Sequence, residues 1–179
     1  MKKTISLIII STIFLCGCGY TTHSFVAADG DNSVYVDNFV NKIDITQEVS
    51  DKDPYYPYDP GMESNITRET INRFIYDGTY QIKDSENAHY LMTGELVNFK
   101  REPLRYDTDE DVTEYRLSVV CNVELYDLKK EKVVWQENSF AGESTYRTSG
   151  QFAKSEDVAL AEATYDFARR IVERTVENW

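Results

Sequence analysis

The clearest pattern along the chain lies in "TEYRLSVVCNVELYD" (Thr113–Asp127). There Tyr115, Leu117, Val119, Cys121, Val123 and Leu125 alternate with Arg116, Ser118, Asn122 and Glu124. A period of two predicts a half-buried β-strand and sets Cys121 in the apolar row, as an inert core thiol rather than a nucleophile. The second pattern has the helical period. In "SEDVALAEATYDFARRIVERTVENW" (Ser155–Trp179), Ala161, Tyr165, Ala168, Ile171, Val172, Thr175 and Trp179 form one stripe, Ser155 is placed as N-cap, and Glu156 and Asp157 occupy the first turn.

Weaker signals fill the space before and between them. "SVYVDNFV" (Ser33–Val40) reads as a first strand with Val34 and Val36 on one face. "NITRETINRFIYDG" (Asn65–Gly78) puts Thr67, Ile71, Phe74, Ile75 and Gly78 at helical spacing, with Asn65 or Ser64 as cap and Gly78 as stop. "TYQIKD" (Thr79–Asp84) is a second strand. "AHYLMTGELVNFKREPLRY" (Ala88–Tyr106) is a third, with a bulge expected at Gly94 and regular pairing expected to end at Pro103. The turn "LKKEK" (Leu128–Lys132) leads into "VVWQENSF" (Val133–Phe140) and makes a hairpin. Asp44–Asn65, with three prolines and three tyrosines, is a loop; Tyr55, Tyr56 and Tyr58 in it suit either a docking surface or a cap on the sheet edge. The order of strand, helix, four strands and helix predicts an α+β fold. Its form is a two-layer sandwich, with two helices packed on one face of a four- to five-stranded, mostly antiparallel sheet.

The N-terminus follows another rule. Lys2 and Lys3 precede eleven apolar or hydroxylic residues, Ile5–Leu15, too few for a membrane span of about 20. This is a secretory leader. Leu15-Cys16-Gly17-Cys18 fits a bacterial lipobox, in which Gly17 suits cleavage and Cys18 becomes the acylated first residue. The chain then divides into a leader (1–17), a lipidated tether (18–32) and one domain (33–179). Removing 17 of the 179 residues leaves 162, enough for a packed core. Loss of the two lysines takes the formal charge from −12 to −14. So acidic a chain repels nucleic acid, and with Cys121 as its remaining thiol it takes its stability from packing rather than disulfides.

Chemistry is sparse. The two histidines, His23 and His89, lie far apart in the sequence, and there is no metal-ligand spacing, glycine-rich phosphate loop or nucleophile elbow. The acidic run Tyr106–Tyr115 lacks the pattern of a calcium loop. No catalytic residue, metal ligand or cofactor beyond the lipid on Cys18 is expected. Two basic clusters, Lys100-Arg101-Arg105 and Lys129-Lys130-Lys132, are where an anionic ligand could be held.

Several stretches together resemble the LptE family of lipopolysaccharide-assembly lipoproteins. They are "CGY" at Cys18–Tyr20, "VYVDNFVNK" at Val34–Lys42, "PGMESNIT" at Pro60–Thr67, "LMTGEL" at Leu91–Leu96, "EPLRY" at Glu102–Tyr106 and Thr113–Trp135. Ala88-His89 and a longer Asp44–Asp59 loop depart from the family pattern. The resemblance implies a lipid-anchored outer-membrane protein that sits within an LptD-like β-barrel, supports its assembly and helps deliver lipopolysaccharide. The two basic clusters become candidate lipopolysaccharide contacts. Two other readings remain open on the residues alone: a scaffold or activator docking on a cell-wall synthase or secretion pore, and a periplasmic small-ligand carrier. Pull-down of the native protein separates the three.

Overall fold

Hydrogen-bond pairing in the computed structural model, which describes residues 32–43 and 60–177, builds one mixed sheet from six strands. The elements in chain order are β1 (Ser33–Val36), β2 (Val40–Asn41), α1 (Met62–Asp77), β3 (Gln81–Ile82), β4 (Tyr90–Tyr106), β5 (Val112–Asp127), β6 (Lys132–Arg147) and α2 (Glu156–Glu177). The sheet order is β3-β1-β4-β5-β6, with β2 paired to β4 beyond the end of β1. The long strands β4, β5 and β6 are antiparallel, as hairpin connections require, whereas β1 runs parallel to both β3 and β4. The crossover through α1 explains the parallel pairing of β1 with β3. The result is the expected α+β architecture of two helices and a sheet.

The alternation in β5 is fulfilled. Leu117, Val119, Cys121, Val123 and Leu125 are at most 2% exposed and join Val34, Met92, Leu96, Phe74, Phe167 and Ile171 in one core. Ser155 caps α2 as expected, its Oγ accepting the Val158 N–H at 3.4 Å.

Five expectations are corrected. First, α1 begins at Met62, three residues earlier than the sequence suggests. Gly61 precedes it in the left-handed region (φ 99°), so no side chain caps it, and the Asn65 N–H bonds to the Gly61 carbonyl inside the helix. Second, its buried face is Met62, Ile66, Thr67, Thr70 and Phe74, and Ile75 is 62% exposed. Third, the expected stripe of α2 holds at Ala168, Ile171, Val172 and Thr175, but its first half runs through Ala159, Ala163 and Phe167, which leaves Ala161 exposed and Tyr165 half exposed. Fourth, Gly94 pairs in register with Val123, and the irregularities lie at Leu96/Asn98 and after Pro103. The Phe39 ring covers Gly94 so closely that any Cβ there would collide with it. Fifth, β6 continues to Arg147 instead of stopping at Phe140.

That extra length shapes the molecule. Beyond the level of Arg101 the hairpin projects past the helix layer, and Glu102–Asp111 are all exposed. Cys18, the tether, the 44–59 loop with its tyrosines, and Trp179 lie outside the described residues.

Candidate functional site

Neighbouring residues in a strand point to opposite faces, and this divides the first basic cluster. Lys100 stands on the face that the helices leave uncovered, in register with Ser118 and, across β5, Glu143. It borders a shallow hollow of about 340 Å³ lined also by Asn98, Ser118, Val120, Ala141 and Glu143. Arg101 points the other way. Its Nη1 lies 3.0 Å from Glu156 Oε2 at the start of α2 and 3.5 Å from the Tyr146 hydroxyl, and its guanidinium sits over the Tyr115 ring at 4.3 Å. The Tyr146 hydroxyl donates to the same Glu156 oxygen at 2.9 Å. Burial, and then the bond to Glu156, push the Tyr146 pKa up to about 12. Arg101 therefore pins the projecting hairpin to α2 and does not share a surface with Lys100.

Arg105 returns to the uncovered face, where its Nε is 3.5 Å from Glu114 Oε2. The same oxygen lies 3.8 Å from Arg147 Nε, because the register sets Glu114 between Arg105 and Arg147. One residue pair further in, Arg116 faces Glu143 at 3.9 Å, with both side chains nearly half exposed. The uncovered end of the sheet thus alternates cations and carboxylates. Arg116 and Arg147 were not among the sequence candidates; the register brings Arg147 to Arg105.

The second cluster is a turn built on a buried carboxylate. Asp127 is 2% exposed, and its Oδ1 accepts the Lys129 and Lys130 N–H groups at 3.0 and 2.8 Å. Lys130 Nζ stands 3.6 Å from Asp127 Oδ2. His89, fully buried, brings Nε2 to 3.2 Å from Asp127 Oδ1 and stacks flat on Tyr90 at 4.3 Å. Burial raises the Asp127 pKa. The Lys130 amide, the His89 and Lys130 charges and the Lys129 amide outweigh it, and the carboxyl ends below its ordinary range. His89 was read from sequence only as the start of a strand, yet with Asp127 it shapes the lysine turn.

The clusters lie far apart along the sheet. Lys100 is in register with Ser118 and Arg105 with Glu114, nine and thirteen residues along β5 from Asp127, which at about 3.4 Å per residue is roughly 30 to 45 Å. One headgroup cannot meet both. Elsewhere the Cys121 thiol is fully buried, which drives its pKa well up. Among the described residues no group of three or more His, Cys, Asp or Glu side chains is placed to hold a metal, and no helix is long and apolar enough to cross a membrane.

Comparison with known proteins adds the following. The family model for LptE, described as lipopolysaccharide-assembly, matches residues 32–175. No significant match to a curated protein is found. Among solved structures, protein XCC0632 from Xanthomonas campestris is similar at 10% identity, covering 83% of this chain and 85% of its own, with a TM-score of 0.55. The hypothetical protein CT253 from Chlamydia trachomatis is similar at 12% identity, covering 83% and 97%, with a TM-score of 0.53. The rare lipoprotein B from Shewanella oneidensis shares 15% identity over 82% and 95%, with a TM-score of 0.47. At these identities the first two likenesses concern the fold alone.

Proposed function

The chain belongs to the LptE lipopolysaccharide-assembly family, and from that premise we propose that it is an outer-membrane lipoprotein, acylated at Cys18. It supports an LptD-like β-barrel in assembly and in delivering lipopolysaccharide to the outer membrane. The family match over 32–175 carries the reading. The lipobox Leu15-Cys16-Gly17-Cys18 supports the anchor. The role is non-catalytic: binding and support, not turnover.

Lipopolysaccharide presents clustered phosphates, which a chain of this acidity can hold only where local cations outweigh the general repulsion. On the uncovered face Lys100 and Arg105, with Arg116 and Arg147 beside them, meet that need. Arginine can grip a phosphate with two parallel N–H bonds, and here the phosphate must compete with Glu114 and Glu143 for those donors. Arg101 is committed to Glu156 and acts as a structural post.

Two measurements test this. Intact mass of the mature protein should show an N-terminal Cys18 carrying lipid, and pull-down of the detergent-solubilised protein should recover a large β-barrel. Recovery of a cell-wall synthase or secretin instead would replace the reading with the scaffold alternative. Titration with purified lipopolysaccharide should show weaker binding and a flatter salt dependence for Lys100→Ala combined with Arg105→Ala. If that variant binds like the parent at low and moderate salt, these residues are not the contact.

A further inference from the structure

We propose that the helix layer docks on the inner wall of the β-barrel partner through Arg73, Tyr76 and Tyr165, with Arg73 receiving a carboxylate from an inward-facing position of that wall. This rests on the barrel-partner reading and adds to it the face and the chemistry of the contact.

The first support is an arginine held ready. Arg73 of α1 has its guanidinium 5.3 Å from the ring centre of Tyr76 and 6.0 Å from that of Tyr165, and its Nη1 donates to the Tyr165 hydroxyl at 3.3 Å. Its Nε is buried without an acceptor. Among the described residues no carboxylate forms an ion pair with it. The acids around it are engaged elsewhere. Asp77, one turn on, accepts the Thr79 N–H at 3.2 Å, and Glu69, one turn back, borders a hollow shared with Arg68 and Asp157. On α2, Glu162 pairs with Lys154, and Asp166 and Glu173 pair with Arg169. A guanidinium fixed by its neighbours loses little freedom when a carboxylate grips it through two parallel N–H bonds.

The second support is that the other arginines are already matched. Arg101, Arg105, Arg116, Arg147, Arg169 and Arg174 each lie within 4 Å of a carboxylate oxygen. Arg170 reaches the Ala141 carbonyl and the Phe140 ring, and Asp166 Oδ2 accepts the Glu143 N–H at 3.1 Å. These two side chains of α2 thereby occupy backbone groups of β6, the last strand of the sheet, and leave its middle less open to an added strand. Arg68 bonds to Asn65 Oδ1 at 2.8 Å. Of these cations Arg73 alone combines a flanking pair of rings with the lack of an acid.

The third support is side-chain choice. The helices hold two arginines in α1, three in α2 and no lysine. Arginine and tyrosine are enriched and lysine is depleted where proteins meet. Tyr76 is 82% exposed and Tyr165 49%, with Ile75 beside them, so the monomer buries little of this ring surface. The interior of an outer-membrane barrel is polar, and its inward side chains alternate along each strand. Rings with hydroxyl tips around a cation fit such a wall, which can present a carboxylate between polar neighbours.

The test uses the acylated full-length chain, tagged and solubilised in detergent from outer membranes, with the co-purified barrel identified by mass spectrometry and quantified. Arg73→Glu combined with Tyr165→Ala should lower the recovered barrel by about tenfold or more, since a reversed charge meets the wall's carboxylate. Arg73→Lys keeps the charge without the planar fork and should lower it several-fold. Arg105→Glu, on the uncovered face, should leave it unchanged. A Tm close to the parent's shows that the fold is kept. A second measurement avoids disruptive variants: benzoylphenylalanine at position 76 should, on irradiation, join the barrel at an inward-facing strand position beside an Asp or Glu. Equal recovery by the parent and the double variant, an equal loss with Arg105→Glu, or adducts with a second copy of the chain, with another protein or with a loop of the barrel overturn the docking surface and leave the barrel reading standing. A parent that recovers no barrel overturns that reading, and the docking surface with it.

Discussion

Replacing Asp127 tests whether a buried carboxylate holds the lysine turn. In Asp127→Ala the Lys129 and Lys130 amides lose an acceptor at 3.0 and 2.8 Å, and His89, fully buried, loses the carboxylate 3.2 Å from its Nε2. Leaving a buried hydrogen-bonding group without its partner costs about 1–3 kcal/mol for each group. The amides border solvent and can recover a water whereas the buried imidazole cannot, so about 3 kcal/mol in all is expected. For a domain of this size each kcal/mol moves Tm by about 2–4 °C, so calorimetry should find Tm lower by about 6–12 °C. Asp127→Asn keeps an oxygen for the amides and should lose about half as much. The folded carboxyl lies below its ordinary pKa. Its stabilisation is therefore present above the unfolded value of about 3.9 and fades as pH falls through the folded one, so the gap between parent and variant should close in acid. A Tm for Asp127→Ala within about 2 °C of the parent at neutral pH, or a gap that persists in strong acid, would refute this account of the turn.

Other outcomes follow from the packing. A Cβ at Gly142 would overlap the Ala163 carbonyl and Phe167, so Gly142→Ala should force α2 off β6 and cost about 2–3 kcal/mol in urea unfolding. Val119→Asp buries a lone charge in the core and should unfold the domain. Val120→Asp, at a site 9% exposed on the uncovered face, should cost about 1–2 kcal/mol because its carboxylate can tip outward. Tyr80 and Tyr146 have pKa values raised from 10.0 to about 12, chiefly by burial. The stability they contribute is complete below pH 10.0 and lost as pH rises toward about 12, and tyrosinate absorbance should rise late, together with unfolding. Arg101→Ala should lower Tm, whereas Arg105→Ala should leave Tm unchanged and weaken lipopolysaccharide binding; the reverse assignment would show up directly in the two assays.

Periodicity made the fold legible where one face is buried and the other wet. β5 was read within one residue at its start, and α2 as a helix across nearly its whole length, because each has one apolar side to hide. The errors fall where the signal is not side-chain period. Helix α1 starts at a backbone device, the left-handed Gly61, which offers no capping side chain to recognise. In α2 the stripe holds at Ala168, Ile171, Val172 and Thr175 but misses in the first half, because Tyr165 and Phe167 are two residues apart and the pattern does not say which ring goes inside; the Phe140 and Phe39 rings that meet Phe167 edge-on decide it. Gly94 was taken for a bulge, when the missing Cβ instead makes room for Phe39, a contact made across the fold.

The candidate site was less legible, because grouping by sequence and grouping by surface differ in a sheet. Lys100 and Arg101 are adjacent in the chain and on opposite faces of the strand. Arg105 and Arg147 are 42 positions apart, yet both lie within 4 Å of one Glu114 oxygen. Stopping β6 at Phe140 ended the register seven residues short of Arg147, so the partnership could not be counted out. The lysine turn was found as a cluster, but what fixes its shape was not, since His89 and Asp127 come together only when β4 and β5 pair at Tyr90 and Asp127. A charged residue in this fold acquires a role from the face it occupies and the carboxylate beside it. Both are set by strand register, which is why Arg101 is a post and Arg105 a candidate contact although they lie within five residues of chain.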